Sequence, residues 1–147
     1  MMRILMCCVL FLSSTVMAQT KKPVAKKPVA PATTTKASQP ALDGKQLYQT
    51  YCLACHQADG LGVPNLNPPL VKVWVSGSKN RLIQLLLKGS SGKVEIDGDT
   101  FSNTMPAQPT FTDQQIAAVL SYIRSNFGNK ASPVTTAEVK AVRAKTK

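Results

Sequence analysis

The stretch Cys52-Leu53-Ala54-Cys55-His56 decides how the remainder of this 147-residue chain is interpreted. Two cysteines stand three positions apart, and a histidine follows the second one directly. This is the spacing for covalent haem attachment, in which each thiol adds to one vinyl group of the porphyrin. The adjacent imidazole then reaches the iron. We therefore expect one haem c, with Cys52 and Cys55 as its thioether anchors and His56 as an axial iron ligand.

The same five residues also admit a structural zinc site, a thioredoxin-like redox pair or an inert disulfide. Zinc takes four ligands, usually cysteine and histidine, and the chain after residue 18 has only two cysteines and one histidine. A redox Cys-x-x-Cys pair opens a helix that follows a strand, whereas here a helical pattern precedes the pair. These considerations favour haem over zinc and over a redox pair, and a local disulfide stays as a minor alternative.

The N-terminus has the pattern of a cleavable export signal. Arg3 supplies the positive region, residues 4–12 are almost wholly apolar, and small or tolerable residues precede the expected cut. The apolar run is too short to span a bilayer comfortably. Neither Cys7 nor Cys8 follows a small residue, which argues against lipid attachment. We expect residues 1–18 to be a signal peptide and the mature protein to be periplasmic, because c-type haem is attached outside the cytoplasm.

Removal of the signal peptide simplifies the inventory of iron ligands. Of the five methionines in the sequence only Met105 remains, and His56 is the one histidine. Haem iron in electron carriers takes two axial ligands, and methionine is a common partner of histidine. Pro106 restricts Met105 to an extended conformation and keeps it out of a helix. We expect Met105 to be the second iron ligand, which favours ferrous iron and raises the reduction potential; the alternative is a methionine packed in the core.

Further residues are candidates to support the haem. An iron-bound imidazole donates its other N–H to an acceptor, and a carbonyl in a prolyl loop is suitable because proline fixes the backbone. Pro68 is the first choice for this carbonyl and Pro69 the second. Trp74 is a candidate to donate its indole N–H to a haem propionate, and Arg81 is a candidate to pair with one. The alternatives for these two residues are a core aromatic side chain and a solvated cation.

Composition divides the chain into the signal peptide 1–18, a flexible linker 19–40 rich in lysine, proline and alanine, a domain 41–130, and a basic tail 131–147. The formal net charge is +11, but the domain has eight basic and six acidic residues. Most of the excess charge therefore lies in the linker and the tail, which have no aromatic residues. Segments that bind nucleic acid combine basic and aromatic side chains, so no nucleic-acid binding is expected. We interpret both flanks as solvated segments, compatible with contact to an anionic membrane surface.

Helical periodicity is strong in three places. A first helix begins after Asp43, a good N-cap, and runs into the cysteine pair. A second helix spans Asn80–Lys88 and stops at Gly89. A third opens at Thr112, with Gln115 completing a capping box. The apolar face of this third helix comprises Ile116, Val119, Leu120, Ile123 and Phe127.

Weaker signals complete the domain. Asp97-Gly98 is the expected turn of the polar stretch between the second and third helices. Thr135 to Glu138 are candidates to cap one short further helix through Val139 and Val142. The core span of roughly 90 residues is small and poor in aromatics, and small domains bury too little apolar surface to be robust alone. A buried porphyrin supplies such a surface.

Residues 43 to about 130 resemble the class I, monohaem c-type cytochromes of bacteria. Besides Cys52–His56, three segments carry the resemblance: Pro68-Pro69-Leu70, Asn103-Thr104-Met105-Pro106 and Leu120-Ser121-Tyr122-Ile123-Arg124. One departure lies at residues 101–103, Phe-Ser-Asn, where relatives often have an aromatic residue, then Asn, then Gly. The departure leaves open which group hydrogen-bonds the Met105 sulfur.

The resemblance implies an all-α class I cytochrome c fold, with three main helices around one covalently bound haem. The first and last helices cross near the haem in this fold. Gly44 and Tyr48 are then expected to meet the face around Val119, Leu120 and Tyr122.

The function implied by these features is one-electron transfer rather than enzyme catalysis. A six-coordinate haem has no open site for a substrate, and with His56 on the iron no free imidazole remains as a general base. We expect transfer between a periplasmic dehydrogenase and an oxidase or reductase, or a role as the haem subunit of such a complex. Docking of a monomer is expected to be weak and transient, with the basic flanks facing acidic partner surfaces. If Met105 is displaced, the alternatives are binding or sensing of a small gas and a weak peroxidase activity.

Overall fold

The computed structural model describes residues 43–71 and 73–146, so the predicted signal peptide 1–18 and linker 19–40 lie outside the described residues. The helices are α1 (Gly44–Tyr51), α2 (Leu53–His56), α3 (Val73–Ser76), α4 (Lys79–Lys88), α5 (Asp113–Ser125) and α6 (Thr136–Ala144). Two short strands, β1 (Val94–Ile96) and β2 (Asp99–Phe101), lie between α4 and α5. Within these ranges no helix has the length and apolar character needed to cross a membrane. The predicted all-α class is confirmed.

Local sequence sets the helix starts as predicted. The Asp43 carboxylate accepts from the Gln46 N–H at 2.8 Å, and the Gln46 side chain accepts from the Asp43 N–H at 3.2 Å. Thr112 and Gln115 form the same reciprocal capping box at the start of α5. Helix α4 begins one residue earlier than predicted, because Ser78 is its N-cap. Each cap satisfies backbone N–H groups that the first turn of a helix leaves unpaired.

Helices α1 and α5 cross in close contact, as the resemblance implies. A β-carbon built on Gly44 would lie 2.2 Å from the carbonyl oxygen of Ala118 and 2.7 Å from Cβ of Tyr122. Glycine therefore lets the two backbones approach this far. One turn along α1, the Tyr48 ring packs on the Tyr122 ring with 5.6 Å between centroids. The expected crossing is confirmed, with Ala118 and Tyr122 as observed contacts.

The end of α5 differs from the prediction. The helix stops at Ser125, so Phe127 is not on its apolar face and has a left-handed backbone, with φ of 56°. Asn126 ends the helix, since its backbone is extended and its side-chain amide donates to the Tyr122 carbonyl at 2.8 Å. The reversal nevertheless brings the Phe127 ring to 5.0 Å from the ring of Tyr48. Phe127 thus joins the core through a turn rather than through helical periodicity.

The polar segment before α5 forms an antiparallel hairpin, of which the sequence predicted only the turn. Asp97 and Gly98 both have positive φ, 54° and 88°, as a two-residue hairpin turn requires. Ile96 and Phe101 are buried, which anchors the hairpin to the domain. The turn prediction is confirmed, and the strands are an addition to it.

Residues 131–147, interpreted from composition as a solvated basic tail, contain a packed helix. Thr135 and Glu138 form a capping box at the start of α6. Val139 is 0% exposed and Val142 is buried as well. The prediction of a short helix capped by Thr135 and Glu138 is confirmed. The interpretation as a solvated tail is corrected, because a positive net charge does not prevent apolar residues one turn apart from packing on the domain.

Two ion pairs hold α6 in place. Lys79 Nζ at the start of α4 lies 2.9 Å from a Glu138 oxygen. Arg143 Nε donates to the Asp113 carboxylate at 2.7 Å, and another of its nitrogens donates to the Phe111 carbonyl at 2.6 Å. Helix α6 therefore links the starts of α4 and α5.

Candidate haem site

The predicted haem-attachment stretch consists of Cys52, which joins α1 to α2, and of the single turn of α2 itself. Cys52 donates its N–H to the Tyr48 carbonyl at 2.9 Å, and its own carbonyl accepts from Cys55 at 3.2 Å and from His56 at 2.9 Å. Cys52 is half-buried against the core and Cys55 is exposed, and both thiols are free. Two thiols and an imidazole therefore belong to one short, hydrogen-bonded segment.

The state of these cysteines bears on the rival interpretations. The pKa of the Cys52 thiol is raised to about 11, mainly by burial and then by the neighbouring Cys55. Redox Cys-x-x-Cys pairs have the opposite character, a lowered thiol pKa. In the part of the chain that the structure describes, no three His, Cys, Asp or Glu side chains form a group that could hold a metal ion. The structure thus lends no support to a redox pair or a zinc site.

The imidazole of His56 is buried, with 8% of the residue exposed, and its orientation is fixed. Nδ1 donates its proton to the carbonyl of Pro68 at 2.9 Å. Burial lowers the pKa of His56, against the opposing effect of the Pro68 hydrogen bond, so the ring favours its neutral form. The structure places the first-choice carbonyl, that of Pro68 rather than Pro69, on the imidazole. Nε2 is the nitrogen available to bind a metal.

The loop after His56 is a compact platform for this contact. Gly62 donates its N–H to the His56 carbonyl at 3.1 Å. A β-carbon on Gly62 would lie 2.3 Å from the Asn67 carbonyl oxygen and 2.7 Å from that of Pro68. The Tyr48 hydroxyl donates to the Gln57 carbonyl at 2.6 Å. Burial raises the pKa of Tyr48, so the hydroxyl stays protonated and can donate. Helix α1 and the loop together hold His56 from both sides.

Met105 is held at its backbone. Its N–H donates to the Ser90 carbonyl and its carbonyl accepts from the Ser90 N–H, both at 2.9 Å. Gly89 allows this pairing, since a β-carbon there would lie 2.4 Å from the Met105 carbonyl oxygen and its φ of 69° suits glycine. The Met105 side chain is half-buried against the core. The sequence predicted Gly89 only as a helix stop, not as the anchor of this segment.

Trp74 contacts the prolyl loop and Arg81 contacts Trp74, and the expected pairing of these two residues with a haem propionate stays a prediction. The indole N–H of Trp74 donates to the Pro69 carbonyl at 3.1 Å. Helix α3 turns Trp74 back on the prolyl loop. The guanidinium carbon of Arg81 lies 5.7 Å from the centre of the Trp74 ring, a cation–π contact. Both residues therefore brace the prolyl loop that carries Pro68.

Sequence reasoning missed two buried polar residues whose side chains bind backbone carbonyls of the segments that flank the site. Arg124 is 2% exposed and donates to the carbonyls of Val75 and Ser132 at 2.6 and 2.7 Å. Asn129 donates to the Leu70 carbonyl at 2.8 Å. A signal for Arg124 was available, because it follows Leu120 by four positions and so lies on the buried face of α5.

The donor set fits a covalently bound haem. Two free thiols, a buried imidazole with its Nδ1 already paired, and a half-buried thioether meet the needs of thioether attachment and two axial ligands. Leu53, Leu61 and Leu66, which belong to the same segments, remain exposed. Exposed large apolar side chains beside such donors suit a large apolar cofactor.

Comparison with known proteins identifies relatives of the described domain. A family model described as cytochrome c matches residues 41–127. Cytochrome c-552 of Thermus thermophilus is 34% identical over 113 residues, which cover 70% of this chain and 86% of that protein.

Two further relatives are subunits of dehydrogenases. The fructose dehydrogenase cytochrome subunit of Gluconobacter japonicus is 38% identical over 112 residues, 69% of this chain and 22% of the subunit. The cytochrome c subunit of the quinone-type alcohol dehydrogenase of Gluconacetobacter polyoxogenes is 32% identical over 110 residues, 70% of this chain and 23% of the subunit. The chain thus corresponds to most of a small cytochrome and to less than a quarter of each dehydrogenase subunit.

Proposed function

Because this chain belongs to the cytochrome c family, and is accordingly an electron-transfer protein that binds covalently attached haem c, we propose how its own residues hold that haem. Cys52 and Cys55 form the two thioether bonds. His56 would bind the iron through Nε2, and the Met105 thioether would be its second ligand. The spacing of the cysteine pair, the free thiols and the burial of the imidazole support these roles.

The observation that carries the proposal is the hydrogen bond between His56 Nδ1 and the Pro68 carbonyl, 2.9 Å long. It fixes the tautomer that leaves Nε2 for the metal, and it makes the imidazole a better ligand. Any buried imidazole N–H needs an acceptor. What favours an iron ligand is that the Pro68 carbonyl occupies Nδ1 and so leaves Nε2, in the residue next to Cys55, for the metal. Trp74 strengthens the arrangement through its hydrogen bond to Pro69.

The bound haem supplies an iron centre that gains and loses one electron. The chain keeps that centre six-coordinate by restraining both ligands, His56 through Pro68 and Met105 through the backbone of Ser90. The half-buried thioether and the buried imidazole shield the iron from water, which disfavours the more highly charged ferric state. We expect a raised reduction potential and little motion of the ligands during electron transfer.

The partners are exported redox proteins. The match to a small cytochrome and to cytochrome subunits of dehydrogenases supports either a free carrier between a dehydrogenase and an oxidase or reductase, or the haem subunit of such a complex. Covalent haem attachment outside the cytoplasm and the predicted signal peptide 1–18 support a periplasmic location. The exposed side chains of Lys140 on α6 and of Lys145 just after it, together with the lysines of the linker, support steering toward acidic partner surfaces or an anionic membrane.

The ligand assignment is tested with the visible spectrum and reduction potential of the purified holoprotein and of Met105→Ala. The wild type should show a low-spin ferric haem with a methionine–iron charge-transfer band. Met105→Ala should lose the band, lower the potential and open the iron to CO. The control Thr104→Ala changes the exposed neighbouring side chain and should behave as the wild type.

Two results would contradict this function. A high-spin wild-type spectrum, or rapid CO binding by the ferrous wild type at neutral pH, would favour gas binding or peroxidase activity over electron carriage. An unchanged potential in Met105→Ala would refute Met105 as a ligand. The docking proposal is tested separately by the rate of reduction by a quinone-type dehydrogenase, which should fall as ionic strength rises.

A further inference from the structure

Two loops that are distant in sequence are fastened together by four hydrogen bonds, which we call the latch. Ser102 donates its N–H and its hydroxyl to the Asn65 carbonyl, at 3.1 and 3.0 Å. Asn103 donates its N–H to the Leu66 carbonyl and its side-chain amide to Oδ1 of Asn67, both at 3.0 Å. The latch thus joins residues 65–67 to residues 102–103 through main chain and side chains alike.

The latch lies beside both proposed iron ligands. Asn67 directly precedes Pro68, whose carbonyl holds the imidazole of His56. Asn103 lies two positions before Met105. A displacement of one loop against the other therefore changes the position of the thioether relative to the imidazole that faces it across the haem.

The latch restrains the segment that precedes Met105 in the chain. On the other side, Ser90 pairs with the Met105 backbone through two hydrogen bonds. The segment that approaches Met105, residues 102–104, is exposed at all three positions, so packing contributes little to its placement. The hydrogen bonds of the latch therefore supply most of the restraint on this approach.

Half of the latch depends on side chains. Asn103 donates its amide to Asn67 and Ser102 donates its hydroxyl to the Asn65 carbonyl. Substitution of either side chain removes its hydrogen bond and leaves the two main-chain hydrogen bonds of the latch in place.

From this arrangement we propose that Asn67, Ser102 and Asn103 are positioning residues that hold Met105 on the iron; the proposal rests on the assignment of Met105 as a ligand. Opening the latch lets the thioether leave the iron more often, which frees a coordination position for a small ligand such as CO. The step breaks one coordinate bond and transfers no electron or proton. The latch thereby limits the access of small ligands to the iron and so favours electron transfer over ligand binding.

The test is the rate of CO binding to the ferrous holoprotein, measured by stopped flow in wild type, Asn67→Ala and Asn103→Ala. Because CO binds after the thioether leaves, loss of a hydrogen bond of the latch should raise the rate about two- to tenfold. Thr104→Ala is the matched control on the same exposed segment and should keep the wild-type rate. The charge-transfer band should weaken in the two asparagine variants only.

A cycle of variants separates the latch from general loosening. If Asn67 and Asn103 act through one hydrogen bond, the variant with both alanine substitutions should bind CO at about the rate of each single variant. If their effects were independent, the two increases in rate would multiply. Asn67→Asp keeps an acceptor oxygen for the Asn103 amide and should keep the wild-type CO rate. If Asn103→Ala fails to incorporate haem, Ser102→Ala, which removes one bond, gives the same readout.

The outcomes distinguish this inference from the proposed function. A wild type without the charge-transfer band would overturn Met105 as ligand and the latch with it. A wild type with the band, but with asparagine variants that bind CO at the rate of Thr104→Ala, would overturn the latch alone. Multiplicative effects in the double variant, or a raised CO rate in Asn67→Asp, would also overturn it.

Discussion

The backbone of Gly44 in α1 lies directly against the carbonyl of Ala118 in α5, so that an added β-carbon would come within 2.2 Å of that oxygen. Gly44→Ala should therefore force α1 away from α5. Such overpacking costs about 1–3 kcal/mol, although alanine by helix propensity alone would stabilise α1 by up to about 1 kcal/mol. Denaturant unfolding of the holoprotein measures the net loss.

The neighbouring Lys45→Ala is the control for this crossing. Lys45 is exposed on the same turn of α1, so its replacement should change the free energy of unfolding by less than about 0.5 kcal/mol. A stabilised Gly44→Ala would mean that α1 and α5 approach less closely than described.

Arg124 of α5 stabilises the end of α3 and the turn that follows it. Its guanidinium donates to the carbonyls of Val75, Ser76 and Gly77, and Nε donates to Ser132. Arg124→Met leaves these buried acceptors unpaired and should lower the free energy of unfolding by at least about 2 kcal/mol. Arg124→Lys keeps the charge but not the planar set of donors, so its loss should be intermediate. Equal stability of wild type and Arg124→Met would contradict this role.

Val139 reports whether the C-terminal segment belongs to the domain. Val139→Ala removes two buried methyl-sized groups at a position with 0% exposure, which should cost about 2 kcal/mol. Lys140→Ala, exposed on the same turn, should cost little. Calorimetry of the holoprotein provides the comparison. An unchanged free energy of unfolding in Val139→Ala would mean that residues 131–147 do not pack on the domain.

Glu138 should make stability depend on acid pH. Its pKa is lowered from 4.5 to about 2, first by the Thr135 N–H and then by the Lys79 side chain. A carboxylate with a depressed folded-state pKa contributes stability above its ordinary pKa, and the contribution disappears as pH falls through the folded value. The melting temperature of the wild type should therefore exceed that of Glu138→Gln above pH 4.5 and approach it toward pH 2. A difference that stays constant across this range contradicts the prediction.

Short-range features could be predicted because neighbouring residues alone determine them. The capping boxes of Asp43 with Gln46 and of Thr112 with Gln115 span three residues, and the Asp97-Gly98 turn spans two. The end of α5 was harder, because Asn126 stops the helix with a side-chain hydrogen bond that competes with periodicity. The cap and the apolar residues Val139 and Val142 indicated α6, but the basic composition around them favoured a solvated tail over a packed helix.

The partners of buried polar groups could be assigned from the sequence only in part. Pro68 was the first choice for His56, and the structure shows this contact. The donation of Trp74 to the Pro69 carbonyl depends on how α3 folds over the loop. Asn67 and Asn103 are 36 positions apart, and no local pattern joins them. Such contacts follow from the packing of whole loops.

The sequence by itself determined the chemistry of this protein. Haem attachment requires two cysteines three positions apart. Once the predicted signal peptide 1–18 is excluded, the count of histidine and methionine leaves His56 and Met105 as the candidates for the iron, whatever the fold. Only the tertiary structure decided what holds these candidates in place. Their supports, Pro68 for the imidazole and Ser90 with the latch for the thioether, are hydrogen bonds between distant segments, which exist only after packing has excluded water and brought the segments together.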